Sequence, residues 1–439
     1  MNLYDLALQL SDLLENNKTV FMRTEPEVPD FTIKSAFKLI IFSSNKNIDV
    51  EVTAENLVAI AAQLDCTIFN KEFVDRLYAW NFKSIATYFH FLCQRYLIPT
   101  ANIIDLHIIE NFLGIKKNRP ENLLEAVNRA KEAVLNKGWL KLYKPLYLPL
   151  ALKVLPSIET KPLLNECVKS LQFPYYEIEG QTNGRMNCLK KYSKCYIPHR
   201  IGPDDRNNLK PRGYGYRFLA ADFRHCEVTV LQWLTGDSKL KDLLESGQDL
   251  HVGIYQELTG DACDTDKKRE ISKSIFLPVM YGCGPSSLSK QCNLPEDVCK
   301  DLILRIRSKF KIAWDWMMLK QNEAKSKGEI RDYFDRPRKF AEKECYLARN
   351  FAVQGVAATV CQEKLVDLFG ALTEPSKAYI AYSVHDGFGI VTQTQAARDS
   401  YKTVKSVLET ESKFCSGLKM KVVIKFGAKL NSMKVLWKD

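Results

Sequence analysis

The sequence lacks an uninterrupted apolar run of the ~20 residues that a membrane-spanning helix needs, so no membrane association is expected. It also lacks any Cys-x-x-Cys pair among its 13 scattered cysteines, which argues against a disulfide framework or a zinc site. We expect reduced thiols in a cytosol-like compartment, with Cys283, Cys292 and Cys299 as packing residues. The acidic, amphipathic residues 1–17 are unlike a secretory or transit peptide, which predicts a soluble protein that is not secreted.

The composition indicates a globular chain with a cationic surface. With 439 residues, 46% of them hydrophobic, the chain is long enough for two or three domains. Its 63 Lys and Arg against 52 Asp and Glu give a net charge of +11, which is compatible with a polyanionic partner, although many basic proteins bind none. The stretch from Arg185 to Arg217 contains nine basic residues and only two acidic ones, and four tyrosines are interleaved with them. This stretch predicts either a phosphate-backbone surface or a solvated loop.

Three separated segments carry residues suited to nucleotidyl transfer: DFRHCEVTVLQWLTGD from Asp222, REISKSIFLPVMYG from Arg269, and SVHDGFG around Asp386. The first and third each place a carboxylate after an apolar, strand-like run, and two carboxylates can share Mg²⁺ ions. In the second, basic and apolar residues recur every four positions, so on a helix they lie along one face. Taken singly, each segment has a plainer interpretation, namely a capping Asp or a surface helix with a buried stripe.

The three segments together resemble the motifs of family A DNA polymerases, the DNA polymerase I-like enzymes. The first family motif reads approximately DYSQIELRVLAHLSGD and the second RxxxKxxxFGxxYG, and this chain matches both in spacing. Further similarities extend over residues 181 to about 430. They are QTNGRMN at Gln181, YIPHR at Tyr196, QDLHVGIYQELTG at Gln248, GEIRDYFDRPR at Gly328 and NFAVQGVAA at Asn350.

The resemblance implies an α/β (α+β) right-hand polymerase with an antiparallel palm sheet, helical fingers and a reduced thumb. It implies a palm and fingers domain at residues 181–439, with the fingers at about 240–330. Residues 116–180 would form linker helices, the reduced thumb and the entry into the palm. Residues 1–115 would form an RNase H-like remnant of a 3′–5′ exonuclease domain, with an unrelated α/β domain as the alternative.

The resemblance also implies roles for individual residues. Asp222, Asp386 and the carbonyl of Phe223 would hold two Mg²⁺ ions, for which Mn²⁺ is a possible substitute. Lys273 would be catalytic as well, by protonating the leaving group. The dNTP would be bound by Glu227, His251, Arg269, Lys273, Leu277 and Tyr281. Primer-template DNA would be contacted by Arg185, Arg200, Asn350, Gln354 and His385.

These roles predict a template-directed DNA polymerase that extends a primer 3′-hydroxyl with dNTPs. A single-subunit RNA polymerase or primase-like enzyme on the same palm is the alternative, because SVHDGFG is closer to the VHDSFG of those enzymes. Glu227 favours deoxynucleotides, because at this position family A DNA polymerases use a Glu to exclude a 2′-hydroxyl. A non-catalytic replication scaffold is a third possibility, against which the retained Asp222, Lys273 and Asp386 argue.

Several positions depart from the family pattern. Leu277 stands where an aromatic residue is usual, and Pro278 follows it inside the expected helix, where it should kink the axis. Gly387 replaces the acidic residue that normally follows the metal-binding Asp. Tyr346 replaces a minor-groove Arg.

The front part of the chain has lost the residues that proofreading requires. Met22, Thr24 and Val74 occupy positions of the exonuclease carboxylates, and only Asp105 keeps its match, so we predict no proofreading. Only 22 residues separate Glu159 from Thr182, whereas two long thumb helices need about 40. Low processivity is therefore expected unless a processivity or replisome protein clamps the duplex. The expected location is the cytoplasm or nucleoid, or the host cytoplasm for a phage-encoded enzyme.

Overall fold

The structure is a computed structural model that describes residues 208–437 except 431 and 436, and residues 137–188 except 162, 166–169, 173 and 179–180. Before residue 137 it describes 9–10, 12–13, 19–25, 37–42, 47–52, 56, 60, 76–79, 83, 85–87 and 103–113. Two compact units are formed. The first unit is Met1–Asp222, Cys361–Leu408 and Val422–Asp439, and the second unit is Phe223–Val360 and Glu409–Lys421. No helix in the described part is long and apolar enough to cross a membrane.

The N-terminal part of the first unit contains a mixed sheet in the order β3-β2-β1-β4-β5. Its strands are β1 Thr19–Glu25, β2 Phe37–Phe42, β3 Asn47–Val52, β4 Arg76–Ala79 and β5 Ile103–Asp105. Strand β1 pairs antiparallel with β2 and parallel with β4. Alternating residues such as Ile48, Val50 and Val52 are buried, the period expected of a strand with one covered face. Helix α1, Leu106–Phe112, follows directly.

A nearly continuous helical segment leads from this region toward the palm. It comprises α2 Lys137–Leu142, π-helical turns at Tyr143–Tyr147 and Leu150–Val154, and α3 Leu155–Glu159. Trp139 stacks on Tyr143 with ring centroids 4.2 Å apart. Buried Glu159 at the end of α3 accepts hydrogen bonds from Lys83 Nζ at 2.7 Å and from the Tyr176 backbone N–H at 2.7 Å. A buried charge with this many partners anchors the C-terminal end of the segment.

Five short strands follow α3, and the first three lie within residues 116–180, where the sequence predicts a reduced thumb. They are β6 Leu163–Asn165, β7 Ser170–Gln172, β8 Tyr176–Glu177, β9 Asn187–Cys188 and β10 Leu209–Lys210. Sheet order β10-β6-β7 links three of them, and β8 pairs with β9. The described residues between Thr160 and Ile178 contain no helix, in line with the shortened thumb.

The centre of the first unit is a four-stranded sheet in the order β14-β15-β11-β16. The strands are β11 Tyr216–Phe223, β14 Ala378–Val384, β15 Gly387–Gln393 and β16 Val422–Gly427. Strand β15 pairs antiparallel with both β11 and β14. Phe218, Ala381 and Val391 form a buried cluster on the sheet, and helix α12, Ala397–Leu408, belongs to the same unit.

The second unit is mostly helical. Its helices are α4 Cys226–Thr235, α5 Ser238–Glu245, α6 Leu250–Thr259, α7 Asp266–Met280, α8 Pro285–Cys292, α9 Glu296–Lys309 and α10 Lys311–Lys327. A hairpin of β12 Glu329–Arg331 and β13 Pro337–Lys339 follows. The long helix α11, Leu347–Ala371, comes next, and its residues from Cys361 onward belong to the first unit. The antiparallel sheet and the helical unit confirm the predicted mixed fold, whereas the exonuclease origin of residues 1–115 and the domain boundaries stay predictions.

Candidate active site

The two predicted metal-binding aspartates lie on neighbouring strands of the central sheet. Asp222 is the penultimate residue of β11, and its Cα partner in the ladder is Gly387, the first residue of β15. Asp386 immediately precedes Gly387, in the two-residue connection between β14 and β15. Antiparallel pairing therefore brings together two carboxylates that are 164 positions apart in the sequence.

Gly387 lies directly against the Asp222 carboxylate. A Cβ at position 387 would lie 2.3 Å from Asp222 Oδ1 and 3.3 Å from the carbonyl oxygen of Val384. Because real Cβ atoms do not approach other atoms this closely, only glycine leaves room for the observed position of the carboxylate. The residue that departs from the family pattern thus lies in contact with a predicted metal ligand.

Burial and the negative charge of Asp386 both raise the pKa of Asp222 above the usual value for Asp, and the cation of Lys425 on β16 opposes them. Asp222 is nonetheless solvent-accessible, so a dissolved cation can reach it. Repulsion between the carboxylates is relieved by a bound metal ion. Sequence reasoning missed Lys425, which only the sheet order places beside β11.

The donor atoms suit Mg²⁺, which prefers oxygen ligands and is commonly held by one or two carboxylates together with substrate phosphates and water. Phe223, whose carbonyl is the third predicted ligand, is the last residue of β11 and is 4% exposed. Within the described ranges, no group of three or more His, Cys, Asp or Glu residues could hold a metal ion. Asp222 and Asp386 are a pair rather than a group of three, and their role as metal ligands stays a prediction.

The predicted phosphate-binding stripe lies on the accessible side of α7. Ser272, Ile275, Phe276, Val279 and Met280 form the buried side of this helix. Arg269, Leu277 and Tyr281 are partly exposed, and Lys273 is exposed. Tyr281 caps the helix, which ends one residue earlier. The face that these four residues share, as their spacing predicts, thus lies beside the buried side of the helix.

Pro278 lies inside α7, as the sequence predicts. It has no N–H to donate to the carbonyl of Ser274, four residues earlier. The side chain of Gln291 on α8 donates to that carbonyl at 3.4 Å instead. A neighbouring helix therefore satisfies the acceptor that proline leaves open.

Asp249 connects the start of α6 to α7. One carboxylate oxygen caps α6 by accepting from the backbone N–H of His251 at 3.0 Å, and the other accepts from Arg269 at 2.9 Å. Burial alone would raise the pKa of Asp249, but the Arg269 guanidinium and the capping N–H groups outweigh it and hold the pKa below the usual value. Asp249 was not assigned from the sequence, although an Asp directly before a helical run is a capping signal.

His251 projects from the first turn of α6 toward His225, with ring centroids 5.1 Å apart. Burial, followed by the charge of His225 and the cations of Arg269 and Lys273, lowers the pKa of His251 to about 4 despite the opposing effect of Asp249. The imidazole is therefore neutral at pH 7. Its buried Nδ1 has no hydrogen-bond partner, so a polar ligand would satisfy it.

Glu227 is held by two side chains of the second unit. The Tyr281 hydroxyl donates to Glu227 Oε2, and Gln354 Nε2 on α11 donates to Glu227 Oε1 at 3.1 Å. Glu227 lies in the first turn of α4. Two partners fix the rotamer of this carboxylate, which is the property that a steric filter requires.

The predicted DNA-binding residues are distributed over both units. Gln354 contacts Glu227, and Asn350 lies one turn earlier on α11. His385 is exposed in the β14–β15 connection with φ of 52°. Arg185 closes a turn in which its carbonyl accepts from the Gln181 N–H at 3.1 Å. Arg200 lies outside the described residues.

Tyr346, one of the residues that depart from the family pattern, packs against Gly282, where a Cβ would lie 3.3 Å from that of Tyr346.

The residues at the positions of the exonuclease carboxylates lie in the N-terminal part of the chain. Met22 on β1 is 1% exposed, and Thr24 lies on the same strand. Asp105 is buried, and its carboxylate accepts from the N–H groups of His107 and Ile108 at the start of α1. Val74 lies outside the described part of the chain.

Comparison with known proteins identifies relatives of this arrangement. The family model for DNA polymerase family A matches residues 195–432. DNA polymerase I, thermostable, of Thermus filiformis is 28% identical over 207 residues, covering 44% of this chain and 25% of that protein. DNA polymerase I of Bacillus subtilis is 25% identical over 231 residues, covering 48% of this chain and 26% of that protein. The matches thus span about a quarter of these relatives.

A solved structure shares the fold. The POL domain of Pol1 from M. smegmatis, in complex with DNA primer-template and dNTP, has a TM-score of 0.76 and 12% sequence identity. The superposition covers 98% of this chain and 98% of that one. At this identity the likeness concerns the fold.

Proposed function

The chain belongs to DNA polymerase family A, and we propose that it is a DNA-directed DNA polymerase that extends a primer 3′-hydroxyl with dNTPs. The observation that carries the proposal is the pairing of β11 with β15, which puts Asp222 beside Gly387 and next to Asp386. Because the chain belongs to this family, we attribute the two adjacent carboxylates to a nucleotidyl-transfer site. Primer-template DNA and dNTPs are the proposed substrates.

Asp222, Asp386 and the carbonyl of Phe223 are the proposed ligands of Mg²⁺, with Mn²⁺ as a substitute. When bound, two metal ions would lower the pKa of the attacking hydroxyl and neutralise charge on the phosphates. Gly387 keeps the Asp222 carboxylate in place by leaving space for it. Lys425 offsets part of the negative charge of the pair.

Arg269, Lys273 and His251 are proposed to bind the triphosphate, and Lys273 to protonate the leaving group. Arg269 is oriented by Asp249 at 2.9 Å. Lys273 lies 3.4 Å from Glu270, and both side chains are 55% exposed, so this weak pair leaves Lys273 free to reorient toward a phosphate. Neutral His251 donates or accepts a hydrogen bond without adding charge.

Glu227 is proposed to select deoxynucleotides. Its carboxylate is fixed by Tyr281 and Gln354, so a 2′-hydroxyl would have to displace a hydrogen-bonded group. Leu277 would provide the apolar platform beside the sugar. RNA synthesis is the second candidate, favoured by the SVHDGFG motif alone.

We further propose that the enzyme lacks proofreading and has low processivity. Met22 offers no carboxylate on β1, and the Asp105 carboxylate is engaged in capping α1. The described residues between Thr160 and Ile178 form short strands and no helix, which supports a reduced thumb. A processivity protein is a proposed partner, and the cytoplasm or nucleoid the proposed location.

Primer extension tests the proposal in one experiment. Matched and 3′-mismatched primers are given Mg²⁺ and either dNTPs or rNTPs, with Asp222→Asn as the inactive control. We expect extension with dNTPs, poor extension with rNTPs, and no removal of the mismatched nucleotide. Preferred use of rNTPs would favour the RNA polymerase candidate, and extension by Asp222→Asn would refute the metal assignment.

A further inference from the structure

The second unit contains an open cavity of about 360 Å³ that the proposed catalytic roles do not use. Its walls come from the start of α4, the end of α5 and the segment before β16. The charged and titratable residues that line it are Arg224, His225, Lys241, Glu245, Lys419 and Lys421. Pockets of this size accommodate small ligands.

The cavity is strongly cationic, with four Lys or Arg against one Glu. Arg224, Lys241 and Lys421 make no ion pair among the described residues, and Lys419 reaches Glu411 only at 4.0 Å. Four like charges around one space repel each other, and an anion in that space would relieve the repulsion. The charge thus points to a phosphate-rich ligand.

The walls of the cavity are tied together. The backbone N–H of Arg224 donates to the carbonyl of Lys421 at 2.8 Å. Trp233 Nε1 on α4 donates to the carbonyl of Ser416 at 2.9 Å, which holds the segment before β16 on this helix. The two bonds fix the backbone that carries three of the four cations, so the site is largely formed before a ligand arrives.

His225 links the cavity to the proposed triphosphate site. It lines the cavity, and its ring lies 5.1 Å from that of His251. It adopts φ of 52°, a strained value for a residue with a side chain. The cavity therefore lies next to a residue proposed to hold the phosphates that become pyrophosphate.

We propose that this cavity is a second phosphate site, which binds inorganic pyrophosphate as it leaves the triphosphate site. The claim that pyrophosphate is released at the neighbouring triphosphate site rests on the proposed function. The claim that the cavity binds a small phosphate anion does not rest on it. Pyrophosphate is a compact polyanion with six terminal oxygens on two phosphorus atoms joined by one bridging oxygen, and it suits four cations that surround one space.

The test uses the double variant Lys241→Ala/Lys421→Ala in the full chain. Both residues are exposed, so the variant should fold. Lys325→Ala/Lys343→Ala is the matched control, because it removes two exposed lysines that lie outside the cavity. Binding of magnesium pyrophosphate is measured by calorimetry, and inhibition of primer extension by pyrophosphate is measured beside the KM for dNTPs.

We expect the cavity variant to bind pyrophosphate about 5- to 25-fold more weakly, since each exposed ion pair contributes up to about 1 kcal/mol. The control variant should bind pyrophosphate as tightly as wild type, and the KM for dNTPs should be the same in the cavity variant as in wild type. Unchanged pyrophosphate affinity would overturn the proposal, and so would an equal loss of dNTP affinity or a loss of DNA affinity alone. If the chain shows no polymerase activity but the variant still loses pyrophosphate binding, the proposed function fails while the phosphate site stands.

Discussion

The carboxylate of Asp222 packs against the backbone of Gly387, where a Cβ would lie 2.3 Å from Oδ1. The two residues are Cα partners in the β11–β15 ladder. One residue of the pair is a proposed metal ligand, and the other provides space for it. The relationship makes the glycine part of the site although it has no functional group.

Gly387→Ala should therefore lower polymerase activity, because the added methyl displaces the Asp222 carboxylate. Misplacing a catalytic group by about 1 Å costs on the order of 100-fold in rate, so we expect kcat to fall by about 10- to 100-fold. Single-turnover primer extension measures this. Gly370→Ala on α11, where a Cβ meets nothing within 4 Å, is the matched control and should retain full activity.

Asp222→Asn should abolish activity and yet stabilise the metal-free protein at neutral pH. The pKa of Asp222 is raised in the folded state by burial and by Asp386. The folded state then binds more protons than the unfolded state, so stability falls as pH rises through this window. We expect at least about 1,000-fold lower activity, and a higher Tm than wild type in EDTA at pH 7. A lower Tm would contradict the proposed repulsion.

Discrimination against ribonucleotides should depend on the partners of Glu227. Glu227→Ala should reduce the dNTP preference by about 100-fold or more. Tyr281→Phe and Gln354→Leu each remove one hydrogen bond to Glu227 and should reduce it by about 5- to 10-fold. The ratio of kcat/KM for dNTP and rNTP is the measurement. If Gln354→Leu weakens DNA binding without changing this ratio, Gln354 acts on DNA, as the sequence predicts.

His251 should contribute to the acid sensitivity of the fold. Its pKa is lowered to about 4 from 6.5, so the unfolded state binds its proton first as pH falls. The stabilising contribution is present above pH 6.5 and is lost between 6.5 and about 4. His251→Gln should flatten this part of the stability curve by roughly 1 kcal/mol, a value discounted for partial exposure. The free energy of unfolding of the variant and of wild type is measured in urea at pH 4.5 and 7. An equal change in this free energy between the two pH values for both proteins would contradict the lowered pKa of His251.

Local patterns were sufficient for the predictions that depend on a few consecutive residues. The four-residue recurrence of Arg269, Lys273, Leu277 and Tyr281 predicted that these residues share one face of a helix, because helix geometry alone fixes it. Pro278 was placed inside this helix correctly. The use of Gln291 to satisfy the Ser274 carbonyl could not be predicted, since it depends on how α8 packs on α7.

Motif order determined which family the chain resembles, and with it the expectation that Asp222 and Asp386 act together. Only the tertiary structure decided how they meet, through the register that pairs residue 222 with residue 387. It likewise decided that Gln354 supports Glu227 across 127 positions, that Asp249 orients Arg269, and that Lys425 stands beside Asp222. Sequence periodicity specifies which face of one element is accessible, whereas long-range pairing depends on packing among elements that no local pattern encodes.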